Sequence, residues 1–325
     1  MSLRTYAKQI GSHYHAGPGE NALKLFALGA ASILEVIPAM HIYLDTKNGQ
    51  DTFDGLSWEF PLKTMSAALA AVATNGVIHF IGDVREQLNG SNLKFDVTII
   101  GHGNRPHHPD LPSAAYSSGA ACWRLPASGA AATTPLLKAR GRGWRFVNIL
   151  FVVPSDAAAV YLERNADSGV SEYDASHASF IGCRFEGDAG GKVGIENAGG
   201  CGFVEVLGCR FYRLTASGGA GIKCTSTAVA VPLNWQIEDC HFANNASHIL
   251  HSMSYSEIRR NIFSRFTQTL SVDIYNQPSA GQGEYNVITE NYLPGTFNAA
   301  TYPAGSNNEW AGNQNVAGVT TADPT

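Results

Sequence analysis

Between residues 41 and 295 the hydrophobic positions fall in short alternating runs of Val, Ile, Leu and Phe, each broken by Gly, Asn, Asp or Ser. Alternation with a period of two marks strands, and no repeat unit keeps three- and four-residue apolar spacing long enough to make a helix. One phrase recurs through these runs: an aliphatic residue, one or two variable positions, Cys or Asn, one more variable position, then Phe or Leu. It spans Ile181 to Phe185, Leu207 to Phe211, Ile237 to Phe242, Ile258 to Phe263 and Ile288 to Leu293. Its Cys or Asn positions are separated by 26 (183 to 209), 31 (209 to 240), 21 (240 to 261) and 30 (261 to 291) residues. Repetition on this scale predicts a solenoid. Strands in every unit and loops of variable length predict an all-β parallel β-helix, whose stacked coils share one narrow core.

A second strand aligns in each coil over Tyr161-Leu162-Glu163, Gly194-Ile195-Glu196, Gly221-Ile222-Lys223, Ile249-Leu250-His251 and Ser271-Val272-Asp273. Side chains alternate across a strand. Leu162, Ile195, Ile222, Leu250 and Val272 are therefore expected inward, and Glu163, Glu196, Lys223, His251 and Asp273 outward. Cys183, Cys209, Cys240, Asn261 and Asn291 form an expected internal ladder. A buried thiol acts there as a small apolar group, and a stacked Asn bonds to the turns above and below. Six Cys without a CxxC pair argue for free structural thiols, including Cys122, Cys201 and Cys224, rather than disulfides or zinc.

Outside the repeats the pattern changes. Residues 1–40 form a non-solenoid arm in which Ala22 to Val36 has helix formers at near-helical spacing. The solenoid is expected over 41–295. Residues 296–325, rich in Asn, Ala, Gly and Thr, form an expected tail anchored by Tyr302 and Trp310. Within the solenoid, Thr64 to Thr74 reads as a short helix capping the first coil. Asp45, Asp51 and Asp54 read as turn-stabilising carboxylates, since their spacing misses known calcium loops.

Composition narrows the function classes. The 44% apolar content fills a long core, the net charge of −5 does not signal a nucleic-acid surface, and 34 Gly fit many tight turns. No apolar segment long enough for a signal peptide or spanning helix is evident, because Lys24, Glu35 and Pro38 interrupt the run from Ala22 to Met40. The chain is then expected either to stay in the cytoplasm or to leave inside something else, particle assembly followed by lysis being one such route, without membrane insertion.

The stretch from His41 to Leu69 contains a strand ending in Asp45, the turn Asn48-Gly49-Gln50-Asp51-Thr52-Phe53-Asp54-Gly55-Leu56-Ser57, and then Pro61-Leu62-Lys63-Thr64-Met65-Ser66-Ala67-Ala68-Leu69. It resembles the opening of right-handed parallel β-helix proteins of the pectate-lyase-like superfamily, many of which are bacteriophage tailspikes, fibres or decoration proteins. The resemblance covers about 41–295. It implies a homotrimer about the long axis, and residues 1–40 are then expected to attach the chain to other virion proteins.

The expected function is thus a structural virion component in contact with host surface polysaccharide. Two alternatives are a polysaccharide depolymerase and a non-catalytic glycan-binding module. For an enzyme, the outward column supplies the candidate catalytic residues Glu163, Glu196 and Asp273; the first two, on adjacent coils, would form a retaining carboxylate pair. For a binding module, Tyr173, Tyr212, Tyr275 and Trp310 are the candidate glycan contacts. Arg140, Arg142, Trp144 and Arg145 form a basic cluster able to decorate a turn or grip an anion. His102, His107 and His108 lie in a Gly/Pro-rich loop read as metal-free. No cofactor is implied.

Overall fold

The computed structural model describes residues 40–90, 93–103, 121–129, 131–164, 173–187, 190–197, 199–225, 231–264, 272–276, 283–293, 307–315 and 318–320, with only the backbone at 272–276, 315 and 318–320. Contacts divide the chain after Met40, and every described element belongs to the unit His41–Thr325. The arm at 1–39, including the expected helix at 22–36, lies outside the described residues, as do His107 and His108.

Three parallel sheets wrap one core. The longest holds ten strands, from His41–Asp45 and Val77–Ile81 through Ser179–Ile181 and Glu205–Leu207 to Val287–Thr289 and Glu309–Ala311. A second holds seven, including Arg184–Glu186 and Arg210–Tyr212; a third holds six, including Ala158–Leu162, Val193–Asn197 and Ala220–Cys224. From Thr98–Gly101 to Val272–Asn276 each coil contributes one strand to each sheet in turn, which is the parallel β-helix expected from the repeats.

Registration of identical positions builds the core. In the first sheet Phe146, Phe180, Val206, Ile237, Ile258 and Ile288 stack inward with no exposed surface. In the second, Phe151, Phe185, Phe211, Phe242 and Phe263 form a column with centroids 4.7–5.1 Å apart and nearly parallel rings. Each such pair contributes about 0.5–1.5 kcal/mol beyond its buried area. Phe180 and Val206 therefore hold the place that Ile237 holds in later coils; Ile181 and Leu207, which open the phrase in the sequence, face outward. Once aligned this way the phrase has constant length.

Two corners of every coil contain a residue in the left-handed region. One, immediately before the Cys or Asn, is Gly182, Gly208, Asp239, Arg260, Glu290 or Gly312; Asn148 takes the same place before the buried Ile149. The next side chain then turns inward as the rung: Cys183, Cys209, Cys240, Asn261, Asn291 and, one coil further, Asn313. Cys240 N donates to Asn261 Oδ1 (2.9 Å), Asn261 N to Asn291 Oδ1 (2.9 Å), and Asn291 N to Asn313 Oδ1 (3.0 Å). All six cysteines are free and buried.

At the N-terminal end a helix, α1 (Met65–Ala71), buries Met65, Ala68 and Leu69. Thr64 Oγ1 accepts from Ala67 N, and the Glu86 carboxylate accepts from Met65 N and Ser66 N (2.6 and 2.9 Å), so both caps serve donors that helix geometry leaves open. Asp45 binds Lys47 N and Asn48, Asp51 binds Lys63 N and Thr64, and Asp54 binds Leu56 N, the turn roles read from the sequence. One boundary is corrected. The solenoid does not end at 295, because Glu309–Ala311 adds a strand in register with Val287–Thr289. Trp310 is consequently a core residue stacked beyond Ile288 rather than an anchor in a loose tail.

Candidate functional site

The expected outward column is corrected by the register of the third sheet. Glu196 lies opposite Tyr161 and Lys223, while Leu162 lies opposite Asn197. The inward row is Val160, Ile195, Ile222 and Ile249; the outward column is Lys138, Tyr161, Glu196, Lys223 and Leu250, with Tyr275 in the same register. Glu163 stands two positions past Tyr161, so it does not pair with Glu196. Asp273 lies between Val272 and Ile274, which register with Ser247 and Ile249, two positions before Tyr275. His251 belongs to an inward row with Leu162, Asn197 and Cys224 and is fully buried. The retaining carboxylate pair is therefore not assembled.

The two glutamates have separate partners. Glu163, 5% exposed, is bound by Arg140 Nε and lies 3.6 Å from Lys138 Nζ. Glu196 Oε1 accepts from Lys223 Nζ at 2.8 Å.

The expected aromatic contacts are also redistributed. Trp310 is 2% exposed and Tyr212 8%, so neither presents a face to a ligand. Tyr173 is half-buried beneath the Arg140 guanidinium, 4.4 Å from its ring. The Tyr275 side chain is outside the description. Of the basic cluster, Trp144 is buried and donates Nε1 to Arg140 O (2.8 Å), whereas Arg142 and Arg145 are exposed.

The second left-handed corner gathers what the sequence reading missed. Its residues, one per coil, are Asn75, Asp96, Gly143, His177, Phe203, Asn234, Tyr255, Tyr285 and Asn307. Each backbone N–H from Asn75 to Tyr255 donates to the carbonyl just before the next corner, as in His177 N to Gly202 O (2.9 Å), Phe203 N to Leu233 O (2.8 Å), Asn234 N to Ser254 O (3.2 Å) and Tyr255 N to Glu284 O (3.1 Å). The corner side chains thus form one outward column at strand spacing. Phe203, Tyr255 and Tyr285 are 53%, 59% and 51% exposed. His177 stacks on Phe203 (4.8 Å, 5°) and Tyr255 on Tyr285 (5.0 Å, 10°).

This placement opposes local preference. Left-handed geometry costs a residue with a Cβ about 1–2 kcal/mol, least for Asn and Asp. Most other coils use Asn, Asp or Gly here. Four aromatic rings accept that strain and stay in water, where little apolar area is buried to compensate. The sequence carried a usable signal: each lies six positions before the Cys or Asn of the recurring phrase (177 to 183, 203 to 209, 255 to 261, 285 to 291).

Beside His177 and Phe203 lies an open depression of about 300 Å³, lined also by Arg142, Arg164, Asp174 and Leu233. Asn197, buried on the neighbouring strand, shapes its floor by accepting from Gly199 N, Gly200 N and Cys201 N. Asp174 accepts from Arg142 Nε (2.9 Å) and Ser176 N (3.1 Å). Burial opposes ionisation of Asp174, but the Ser176 and Arg142 hydrogen bonds outweigh it and hold its carboxyl below the ordinary value. The depression thus combines a flat apolar platform with a fixed cation and anion. Hydrogen-bonding groups and exposed ring surface lie side by side.

A second aromatic cluster covers the first coils. His41 Nδ1 and His79 Nε2 are 2.9 Å apart, His79 Nδ1 and His102 Nε2 2.8 Å, and Tyr43 stacks on His79. Burial first, then the like charges of His102 and His41, lower the His79 pKa to about 4. Among the described residues no group of three or more His, Cys, Asp or Glu is placed to hold a metal ion.

No family model and no curated protein matches this chain. Among solved structures it is similar to pectate lyase Pel9A, at 15% identity and a TM-score of 0.54 over 88% of this chain and 78% of that one. It is also similar to XylC in its complex with xylose (10% identity, TM-score 0.48, 85% of this chain and 68% of that one). A third likeness is to Geobacillus virus E2 ORF18 (11%, 0.39, 93% and 61%). The likeness to Pel9A shows a shared fold, the parallel β-helix.

Proposed function

We propose that the chain is a glycan-recognising parallel β-helix that holds a surface polysaccharide along its aromatic corner column without cutting it. The observation that carries this reading is the exposed, backbone-strained set His177, Phe203, Tyr255 and Tyr285 beside the Arg142–Asp174 depression. Strain persists where surrounding structure or function sustains it, and this strain presents ring surface to solvent. Aromatic faces carry negative charge density, which attracts the polarised C–H groups of a sugar ring. The Arg142–Asp174 pair offers donors and acceptors for hydroxyls. Glu163 and Glu196 are engaged by Arg140 and Lys223 in separate ion pairs.

The biological setting we propose is a bacteriophage appendage, a homotrimeric spike, fibre or decoration protein joined to the particle through residues 1–40. The resemblance of the segment 41–69 to such proteins supports it.

The test is binding of the purified chain to a panel of bacterial surface polysaccharides, with reducing-end and unsaturated-sugar release followed in parallel. Binding without release is expected, weakened at least tenfold by Phe203→Asn. Retention of full affinity in that variant, or no binding across the panel, would overturn the proposal. Release of cleaved product would replace holding by catalysis.

A further inference from the structure

The column of corner side chains is interrupted at one place. Between the stacked pair His177–Phe203 and the stacked pair Tyr255–Tyr285 stands Asn234, exposed and in the same left-handed geometry. Its position is fixed on both sides, because Phe203 N donates to Leu233 O and Asn234 N to Ser254 O. Phe203 and Tyr255 are thus two coils apart. One face of Phe203 is covered by His177 and one face of Tyr255 by Tyr285. The other two faces look towards each other across a short side chain.

We infer that this notch is a sandwich subsite for one sugar ring, and that the ring it takes is a gluco-configured pyranose. The inference rests on the glycan-binding reading above and specifies its ligand. Two strand spacings separate the walls by about 9.6 Å. Carbon–carbon contact on each side takes about 3.5–4.0 Å. About 2 Å remains, which admits the puckered skeleton of a saturated six-membered ring with its axial C–H bonds directed at both walls; a planar aromatic guest is thinner and would leave more slack.

Both walls are apolar, so both faces of the guest must present C–H groups. In a β-gluco pyranose every hydroxyl is equatorial and both faces carry only axial hydrogens. Its hydroxyls leave the ring at the rim, towards the Asn234 amide and water. An axial hydroxyl would be pressed against an aromatic face, stripped of water and without a partner, which is unfavourable. The neighbouring depression, which reaches Leu233 one residue from Asn234, continues the path for the next sugar units.

Two β-1,4-linked probes isolate this feature: cellohexaose and mannohexaose, which differ only in the orientation of the C2 hydroxyl. Titration calorimetry with the full chain is expected to give at least tenfold tighter binding of cellohexaose. Asn234→Phe fills the notch and should abolish cellohexaose binding, while Asn234→Gly, which keeps the notch open and loses only the amide at its rim, should weaken it by less than tenfold. Tyr255→Asn, which removes one wall, should weaken it at least tenfold and provides a second reading if Asn234→Phe melts early. Equal affinity for the two probes, unchanged binding by Asn234→Phe, or no cellohexaose binding would overturn the subsite. The polysaccharide panel separates the two levels of failure. If wild-type protein binds a panel polysaccharide and Asn234→Phe binds it equally, only the notch is wrong. If wild-type protein binds none, the glycan reading fails with it.

Discussion

Asn291 Oδ1 accepts two hydrogen bonds from Asn261 one coil away, from the backbone N at 2.9 Å and from Nδ2 at 3.0 Å, while Asn291 Nδ2 donates to Ile258 O at 2.9 Å. Its Nδ2 also donates to Asn313 Oδ1 at 3.0 Å, so one buried side chain satisfies polar groups on the coils to either side. Asn291→Ala should lower stability by about 2–4 kcal/mol, because it leaves buried donors and an acceptor unpaired. Thermal melts at a fixed scan rate check this, and a loss below that of an exposed control substitution would refute it.

Removing Arg140 and removing Lys223 should have unequal effects. Glu163 is buried and bound to Arg140, so Arg140→Met leaves a carboxylate in the interior with only Lys138 at 3.6 Å and should cost about 3 kcal/mol. The Lys223–Glu196 pair has side chains 26% and 19% exposed, and Lys223→Met should cost about 0.2–1 kcal/mol. Denaturant midpoints of the two variants decide the point; equal losses would contradict it.

Acid should weaken the fold through His251. Burial lowers its pKa from 6.5 to about 4, while its Nδ1 accepts from Met253 N. The unfolded chain takes up this proton near pH 6.5 and the folded chain only near pH 4. The contribution of the neutral imidazole is thus complete above pH 6.5 and is lost as pH falls towards 4, at about 1.4 kcal/mol per pH unit. His79 is lowered in the same direction. The Tm should fall across this window, and His251→Leu should flatten the slope. An unchanged slope in that variant would assign the acid sensitivity elsewhere.

The corner aromatics should prove dispensable for folding. Replacing Phe203 or Tyr255 by Asn relieves left-handed strain but loses one stacked pair, two effects of about 1 kcal/mol and opposite sign. Melting temperatures within a few degrees of wild type are expected together with loss of polysaccharide binding. A large loss of stability would mean that the rings serve the fold.

Thiol chemistry reports the interior directly. Burial pushes the Cys122 thiol up to about 12 and raises Cys209 and Cys224 as well. At pH 8 an aromatic disulfide reagent should titrate no thiol in the native chain and six after denaturation. Rapid native labelling would contradict the inward ladder.

Much of the coil was legible because its physics is local and repeated. The Cys/Asn rung announced itself as a small or amide-bearing residue two positions before Phe, and both groups can only be explained inside a stacked corner. The capping helix was legible from Thr64 and the Ala-rich run after it. The third sheet was misread where Leu162, which is inward, was aligned with Ile195 instead of Asn197, and where Leu250 looked like its core. Apolar residues occupy both faces of that strand, and a one- or two-residue slip costs nothing in composition. Glu163 and Glu196 then appeared neighbours when their strands place them two positions apart in register. Trp310 looked like an exposed anchor because the Asn/Gly-rich residues around it hide one more coil.

The amino-acid sequence by itself determined the architecture: alternation specifies strands, repetition specifies stacking, and a recurring Phe, Cys and Asn specify what fills the interior. The candidate site was decided only by tertiary structure. His177, Phe203, Tyr255 and Tyr285 are scattered over more than a hundred residues and share in the sequence only their place six positions before the Cys or Asn of the recurring phrase. They become neighbours because each sits at the same left-handed corner of its coil, and the strand spacing then converts distant positions into one column with a gap at Asn234. A sequence records which residues alternate; register between coils depends on loop lengths and on hydrogen bonds that form only when the coils stack.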